Sequence, residues 1–285
     1  MELIEYSSAQ ALHQRCRDFL MEDEGANNLL LGSLITLARN PGGRKAKISY
    51  YAGESAGRIT TVALNVSGKR LLFAAQDQVA ASALGEQIKK HLGTIDGIFA
   101  RAFAAESFCQ SFGTKGRVSR QLGLGLSESH GLHAQASSSS SSSAPGICRL
   151  AVKRDSNWIL NWSRQFVSEN RIEESEQETK DSVRQTITNR QLFIWEDRVP
   201  VAMAFYGGVT PNWARVHTVY TDPQARNRGY GKNLVRAVTY RLLTQASRRS
   251  CFLFVEPENT AAVRLYQSLG YSRIDDYLDC HFEAV

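Results

Sequence analysis

The chain has no C-x-x-C pair, no H-E-x-x-H and no apolar run near the ~18–20 residues that a membrane-spanning helix needs. Its five cysteines, Cys16, Cys109, Cys148, Cys251 and Cys280, are odd in number and widely spaced. A secreted disulfide scaffold usually has an even set at close spacings. The one close histidine pair, His130 and His133, has no nearby thiol or carboxylate to complete a zinc site, so no metal is expected. The longest apolar stretches are Leu29–Leu37 and Cys251–Val255, and the opening Met1-Glu2-Leu3-Ile4-Glu5-Tyr6 lacks the basic-then-apolar order of a secretory signal. Charge of one sign is not concentrated either. The 34 bases and 28 acids divide at residue 130 into 15 and 12 before it and 19 and 16 after it, so each part carries +3. A nucleic-acid binder would cluster its bases on one element. With 42% hydrophobic and 22% charged residues, the expectation is a cytoplasmic globular protein that engages neither nucleic acid nor membrane.

At 285 residues the chain suits two domains of ordinary size. The boundary is marked by Ser137–Ser143 followed by Ala144-Pro145-Gly146, a segment too polar to offset its ordering entropy by burial. The division is therefore 1–133, a linker at 134–146, and 147–285. In the second block, periodicity predicts a strand at Ile147–Val152 and helices from Asp155 to Ser168 and over Ser175–Asn189. Strands follow at Gln191–Glu196, Val199–Tyr206 and Trp213–Tyr220. A helix runs from Gly229 to Ala246, then come a strand at Cys251–Val255, a helix at Asn259–Leu269 and a final pair of strands within Ser272–Phe282. The first block can be laid over the same order, from a strand at Leu3–Tyr6 to a helix at Ala104–Phe112. Each block reads as α/β (α+β), a mixed, mainly antiparallel sheet flanked by helices, and the two form a tandem.

The segment Val216–Lys232 carries the chemistry. A strand stops at Pro223, and a loop with Arg226, Arg228, Gly229 and Gly231 leads straight into a helix. Unpaired amides and the positive end of the helix dipole meet where that helix starts, and glycines allow close approach of a ligand. With Arg226, Arg228 and Lys232 beside them, these groups suit a phosphate or pyrophosphate. A Walker loop is excluded because Lys232 is followed by Asn233. A dinucleotide fingerprint is excluded because the loop follows an antiparallel meander.

Gly231 and Asn259 lie 28 positions apart, and at Asn259 a second pattern begins, N-x-x-A-x-x-L-Y-x-x-x-G-Y, through Ala262, Leu265 and Tyr266 to Gly270-Tyr271. With R-x-x-G-x-G at Arg226, Gly229 and Gly231 before it, the sequence from 147 to 285 resembles the GNAT superfamily of acyl-CoA-dependent N-acyltransferases. The first block matches in element order only and looks like a degenerate GNAT-like domain.

The resemblance implies acetyl-CoA as cosubstrate. Its pyrophosphate would lie on the amides of Arg226, Asn227, Arg228, Gly229, Tyr230, Gly231 and Lys232, with charge from Arg226 and Arg228. Main-chain groups of Val219 and Thr221 would pair with the pantetheine arm and the acetyl carbonyl, and Asn259 would steady the pantetheine. Tyr266 matches the tyrosine near the thioester sulfur and could protonate the leaving thiolate. Many family members use a carboxylate on the strand before the loop as general base, but Arg215 stands there. His217, on the same strand face, and Glu256, at the end of the neighbouring strand, are the candidates, with a water chain as a further possibility. No cysteine belongs to these motifs, which argues against a covalent enzyme intermediate.

The resulting expectation is an acetyltransferase that moves an acetyl group from acetyl-CoA to a primary amine, on a small molecule or peptide, by direct attack. A non-catalytic acyl-CoA sensor or interaction protein is the alternative favoured by the missing carboxylate and opposed by Tyr266. Transfer of a longer acyl chain to an amino acid is another. The acids Glu173, Glu174, Glu176 and Glu178 could attract a cationic amine or form a solvated face. The first block has Ala74-Ala75-Gln76-Asp77 in place of a glycine loop and is expected to buttress the second and wall the acceptor pocket. Gly123-Leu124-Gly125 is expected to be a strand bend.

Overall fold

The computed structural model describes residues 1–40, 47–66, 70–114, 116–127, 144–172, 174–244 and 248–283. The serine run, His130, His133 and Glu173 lie outside these residues, as does the expected linker up to Ser143.

The first half runs β1 (Glu2–Tyr6), α1 (Ala9–Met21), α2 (Asn28–Arg39), β2 (Ile48–Ser55), β3 (Arg58–Val66), β4 (Leu71–Ala75), α3 (Gln78–Leu92), β5 (Gly97–Arg101), α4 (Ala102–Phe112) and β6 (Gly116–Ser127). The second repeats that order with β7 (Ile147–Leu150), α5 (Ser156–Glu169), α6 (Glu176–Thr188), β8 (Leu192–Asp197), β9 (Val199–Gly207), β10 (Trp213–Thr221), α7 (Tyr230–Thr244), β11 (Ser250–Val255), α8 (Thr260–Ser268) and β12 (Ser272–Phe282). Local chemistry explains the element ends. Ser8 and Asp77 accept amide hydrogens as N-caps of α1 and α3, and Ser175 with Glu178 forms a capping box on α6. Arg198, at a φ of 62°, makes the tight turn between β8 and β9.

All twelve strands form one sheet in the order β1-β2-β3-β4-β5-β12-β6-β11-β10-β9-β8-β7. Only β4 with β5 and β10 with β11 are parallel pairs. The two halves exchange their last strands. Tyr277–His281 of β12 pair with Arg101–Gly97 of β5, while Leu122–Ser127 of β6 pair with Val255–Ser250 of β11. β6 and β12 pair with each other at the centre.

Alternation along the strands divides the core into four clusters, one on each face of each half. Leu278 and Cys280 pack with α3 and α4, and Leu124 and Leu126 pack with α7 and α8. Because Leu278 opposes Arg120, two residues before Leu122, these four helices share one face. α1 and α2 cover the other face beside Val62 and Leu64, and α5 and α6 cover it beside Ile194 and Phe205. The N-terminal half docks on the second across that face. Asn28 Nδ2 donates to Gly208 O at 2.9 Å, and the Glu24 carboxylate accepts from Asn212 N and Nδ2, both at 2.7 Å.

One expectation is corrected. Ser272–Phe282 is one strand with a register shift between Arg273 and Asp275, because β6 pairs with it throughout. Gly123 and Gly125 lie inside β6, and Gly123 and Leu124 face that register shift. A Cβ at Gly123 would come within 2.6 Å of the Tyr277 ring and 3.0 Å of Phe252, so the missing side chain makes room for neighbouring aromatics. No helix among the described residues is long and apolar enough to cross a membrane.

Candidate active site

β10 and β11 pair only across Trp213–Arg215 and Ser250–Phe252 and then part. On its other edge β10 pairs with β9 at His217 and again at Tyr220, with a bulge between them where Thr218 takes a φ of 49°. Bulges re-aim backbone groups at functional sites. Here the backbone of Thr218 and Val219 is released from one neighbour at the place where the other has left. A cleft of about 1560 Å³ opens from this gap, and its walls include β10, the loop before α7, α8 and the outer part of β6.

The loop fits an anionic ligand. Gly229 has a φ of 83°, in the left-handed region that glycine tolerates, and a Cβ at Gly231 would lie 3.0 Å from Thr221 Oγ1. Asn233 N donates to Gly229 O at 3.0 Å, so the amides before Asn233 precede the first turn's acceptors. Asn227, Gly229, Tyr230, Gly231 and Lys232 line the cleft. Tyr230 fixes the helix start by donating to Asp197 Oδ2 at 2.6 Å.

The structure redistributes the expected charge. Arg226 is held by Glu169 through contacts of 2.9 and 2.8 Å and donates to Thr221 O, so its charge is already matched. Arg228 lies over the Tyr230 ring, 5.4 Å from its centre, outside the lining of the cleft. Of the three bases, Lys232 is exposed in the cleft and makes no ion pair among the described residues. In the first half the corresponding helix, α3, begins with Asp77, whose carboxylate accepts from Ala80 N at 2.8 Å. A negative charge there repels phosphate from the one point where a helix would attract it.

Tyr266, on α8, is 8% exposed and lines the cleft, and its phenol makes no hydrogen bond among the described residues. Burial pushes its pKa up to about 12, keeping it protonated. Asn259 caps α8 by accepting from Ala262 N at 3.1 Å, which leaves its amide nitrogen for a ligand. Glu256 is exposed at the end of β11 and borders the same cleft. His217 is half-buried, with Nδ1 3.1 Å from Thr218 Oγ1 and its ring against Phe205. Burial, then the charge of Arg215, hold its imidazole down to about 3, so it is neutral at physiological pH. Val219 and Thr221 also line the cleft.

The acids of α6 are engaged elsewhere. Glu176 pairs with Arg164 and Lys180, Glu178 serves its capping box, and neither lines the cleft. Sequence reasoning missed the part played by Arg117–Gln121 of β6, which enters the cleft wall because of the strand exchange. Its alternation of Val118, Arg120, Leu122, Leu124 and Leu126 was an available strand signal.

Comparison with known proteins agrees with this geometry. A model of the acetyltransferase (GNAT) family matches residues 158–271. The mycothiol acetyltransferase of Renibacterium salmoninarum is 44% identical over 61 residues, covering 21% of this chain and 18% of that protein. The chain thus matches only about a fifth of the length of this curated relative. Among solved structures, a GNAT-family acetyltransferase from Colwellia psychrerythraea superposes with a TM-score of 0.61 at 12% identity, covering 99% of this chain and 100% of that one. A tandem GNAT protein from the clavulanic acid biosynthesis pathway gives 0.59 at 14% identity with both chains fully covered. At such identities these two likenesses concern the fold, which here is the tandem. Residues 158–271 are an acetyltransferase domain of the GNAT family.

Proposed function

We propose that the protein transfers an acetyl group from acetyl-CoA to a primary amine by direct attack within a ternary complex, in a cytoplasmic setting. The observation that carries this reading is the convergence of three features on one cleft: the parted β10 and β11 strands with their bulge, the open amides before α7, and the unpaired Tyr266 phenol.

When bound, acetyl-CoA supplies an activated thioester. The amides of residues 227–232 and Lys232 hold its pyrophosphate, and Asn259 Nδ2 steadies the arm. Backbone N–H groups released at the Thr218–Val219 bulge face the acyl oxygen and favour the negative charge that develops there. The amine nitrogen forms the new bond to the acyl carbon as the carbon–sulfur bond breaks, and Tyr266 gives its proton to the departing sulfur. The amine's proton leaves through His217 or Glu256, directly or by way of water.

Titration of acetyl-CoA into the full-length chain by calorimetry tests this reading. One site per chain is expected, with binding abolished in Gly231→Glu, whose carboxylate would enter the pyrophosphate position beside Thr221. No binding to the unaltered protein would refute it. Binding without turnover of any amine would favour an acyl-CoA sensor.

A further inference from the structure

Arg215 stands at the apex of the cleft, on the last paired residue of β10 before the strands part. Ala214 and Val216 point into the α7 core, so Arg215 and His217 point to the opposite face, beneath α2 of the N-terminal half. Its Nη1 is enclosed and has no hydrogen-bond partner among the described residues. Other half-buried arginines have acids or carbonyl oxygens: Arg149 has Asp155 and Glu196, Arg101 has Asp23 and Asp275, Arg70 has Asp279, Arg241 has Cys148 O, and Arg248 has Thr210 O and Pro211 O. Asn28 Oδ1, an acceptor that also lacks a partner, lies on the same side of Gly208 as the guanidinium. A neutral amide does not offset a cation.

An enclosed guanidinium without an acid is costly, and a group of this kind calls for an explanation such as strain, a catalytic role or a bound species. On this wall the partner arrives from the acceptor side, because the acyl donor occupies the loop before α7 on the other flank of the bulge. We propose that the acceptor carries a carboxylate as well as its amine, and that Arg215 binds that carboxylate as a specificity-determining residue. The inference rests on the acetyl-transfer reading above. Two residues of strand, about 6.6 Å, separate Arg215 from His217. A guanidinium pairs with a carboxylate through two parallel hydrogen bonds, which fixes orientation as well as distance. A carboxylate held at the apex therefore presents an amine a few bonds away toward the bulge. Phe254, whose ring packs edge-on to Phe252 and Tyr277, supplies an apolar side wall between the two. The substrate class is a small amino acid, or a peptide whose carboxyl terminus lies close to its amine.

The test uses the full-length chain loaded with acetyl-CoA and matched pairs of amines. Each of the twenty common amino acids is set beside the amine that lacks its carboxylate, such as lysine with cadaverine and phenylalanine with phenethylamine. Release of CoA thiol is followed, and binding to the CoA-loaded protein is measured by calorimetry. The expected result is a preference of about 10- to 100-fold for the carboxylate-bearing member of at least one pair. Arg215→Gln should erase that preference through KM, with acetyl-CoA affinity and melting temperature little changed, and Arg215→Lys should recover part of it. If Arg215→Gln does not fold, the comparison of pairs with the unaltered protein still decides. Equal use of both members, or neither binding nor turnover of any pair, overturns the proposal. A preference that persists undiminished in a folded Arg215→Gln also overturns it and leaves Arg215 a packing role beside Asn28. Failure of acetyl-CoA itself to bind would instead remove the reading beneath.

Discussion

A buried tyrosine hydroxyl ordinarily finds a hydrogen-bond partner, because leaving it without one costs about 1–3 kcal/mol. Tyr266 has none among the described residues, but its hydroxyl opens on the cleft, while its ring packs against Tyr271 at 6.0 Å. Tyr266→Phe should therefore cost little stability while lowering turnover about a hundredfold or more, with acetyl-CoA affinity unchanged in calorimetry. An unaltered rate would reduce the phenol to packing. His217 is poised differently. Held neutral by burial and, to a lesser extent, by Arg215, it would take up a proton more readily if an anion offset that charge, so the carboxylate proposed to bind Arg215 would also strengthen His217 as a base. The sequence made Tyr266 visible through its register with Asn259. It hid the partner of Arg226, because Glu169 lies 57 residues earlier and only the packing of α5 against β10 brings the two together.

Two helices in equivalent places show how a few atoms decide whether the amides at a helix start are left open. α7 and α3 both follow the third strand of a meander and both pack on the same face of the sheet. α7 begins in a glycine loop with open amides, whereas α3 begins with a carboxylate that satisfies one of its own. Asp77→Ala should destabilise the protein by about 1 kcal/mol in denaturant titration, the usual worth of an N-cap. The stoichiometry of acetyl-CoA should remain one per chain, since removing the acid does not create the loop. A second site in that variant would contradict the assignment. Helices were legible because buried stripes such as Leu12, Cys16 and Leu20 on α1 repeat at helical spacing. β6 was legible only as a strand bend at Gly123–Gly125 because its glycines weaken a strand pattern, although Gly123 makes room for the rings of Phe252 and Tyr277 and Gly125 for Ile274 and Trp213.

For the molecule as a whole, the repeated order of elements could be read from periodicity, but the neighbours of each strand could not. Alternation says which face a residue takes and nothing of which strand lies beside it. The exchange of β6 and β12 leaves neither half with a complete sheet of its own. Heating in a calorimeter should accordingly give one cooperative transition, in which tryptophan fluorescence, reporting Trp158, Trp162, Trp195 and Trp213 of the second half, coincides with global loss of secondary structure. Two resolved transitions would mean that the halves are held apart energetically. The strand exchange also sets a timetable for synthesis. Gly97–Arg101 of β5 must wait for Tyr277–His281, which are made long after it, and until then two sheet edges stay open. A nascent chain in that state is exposed to pairing with its neighbours, so the N-terminal half depends on β12 for its own completion. A premature stop just before β12 would thus damage residues made long before it.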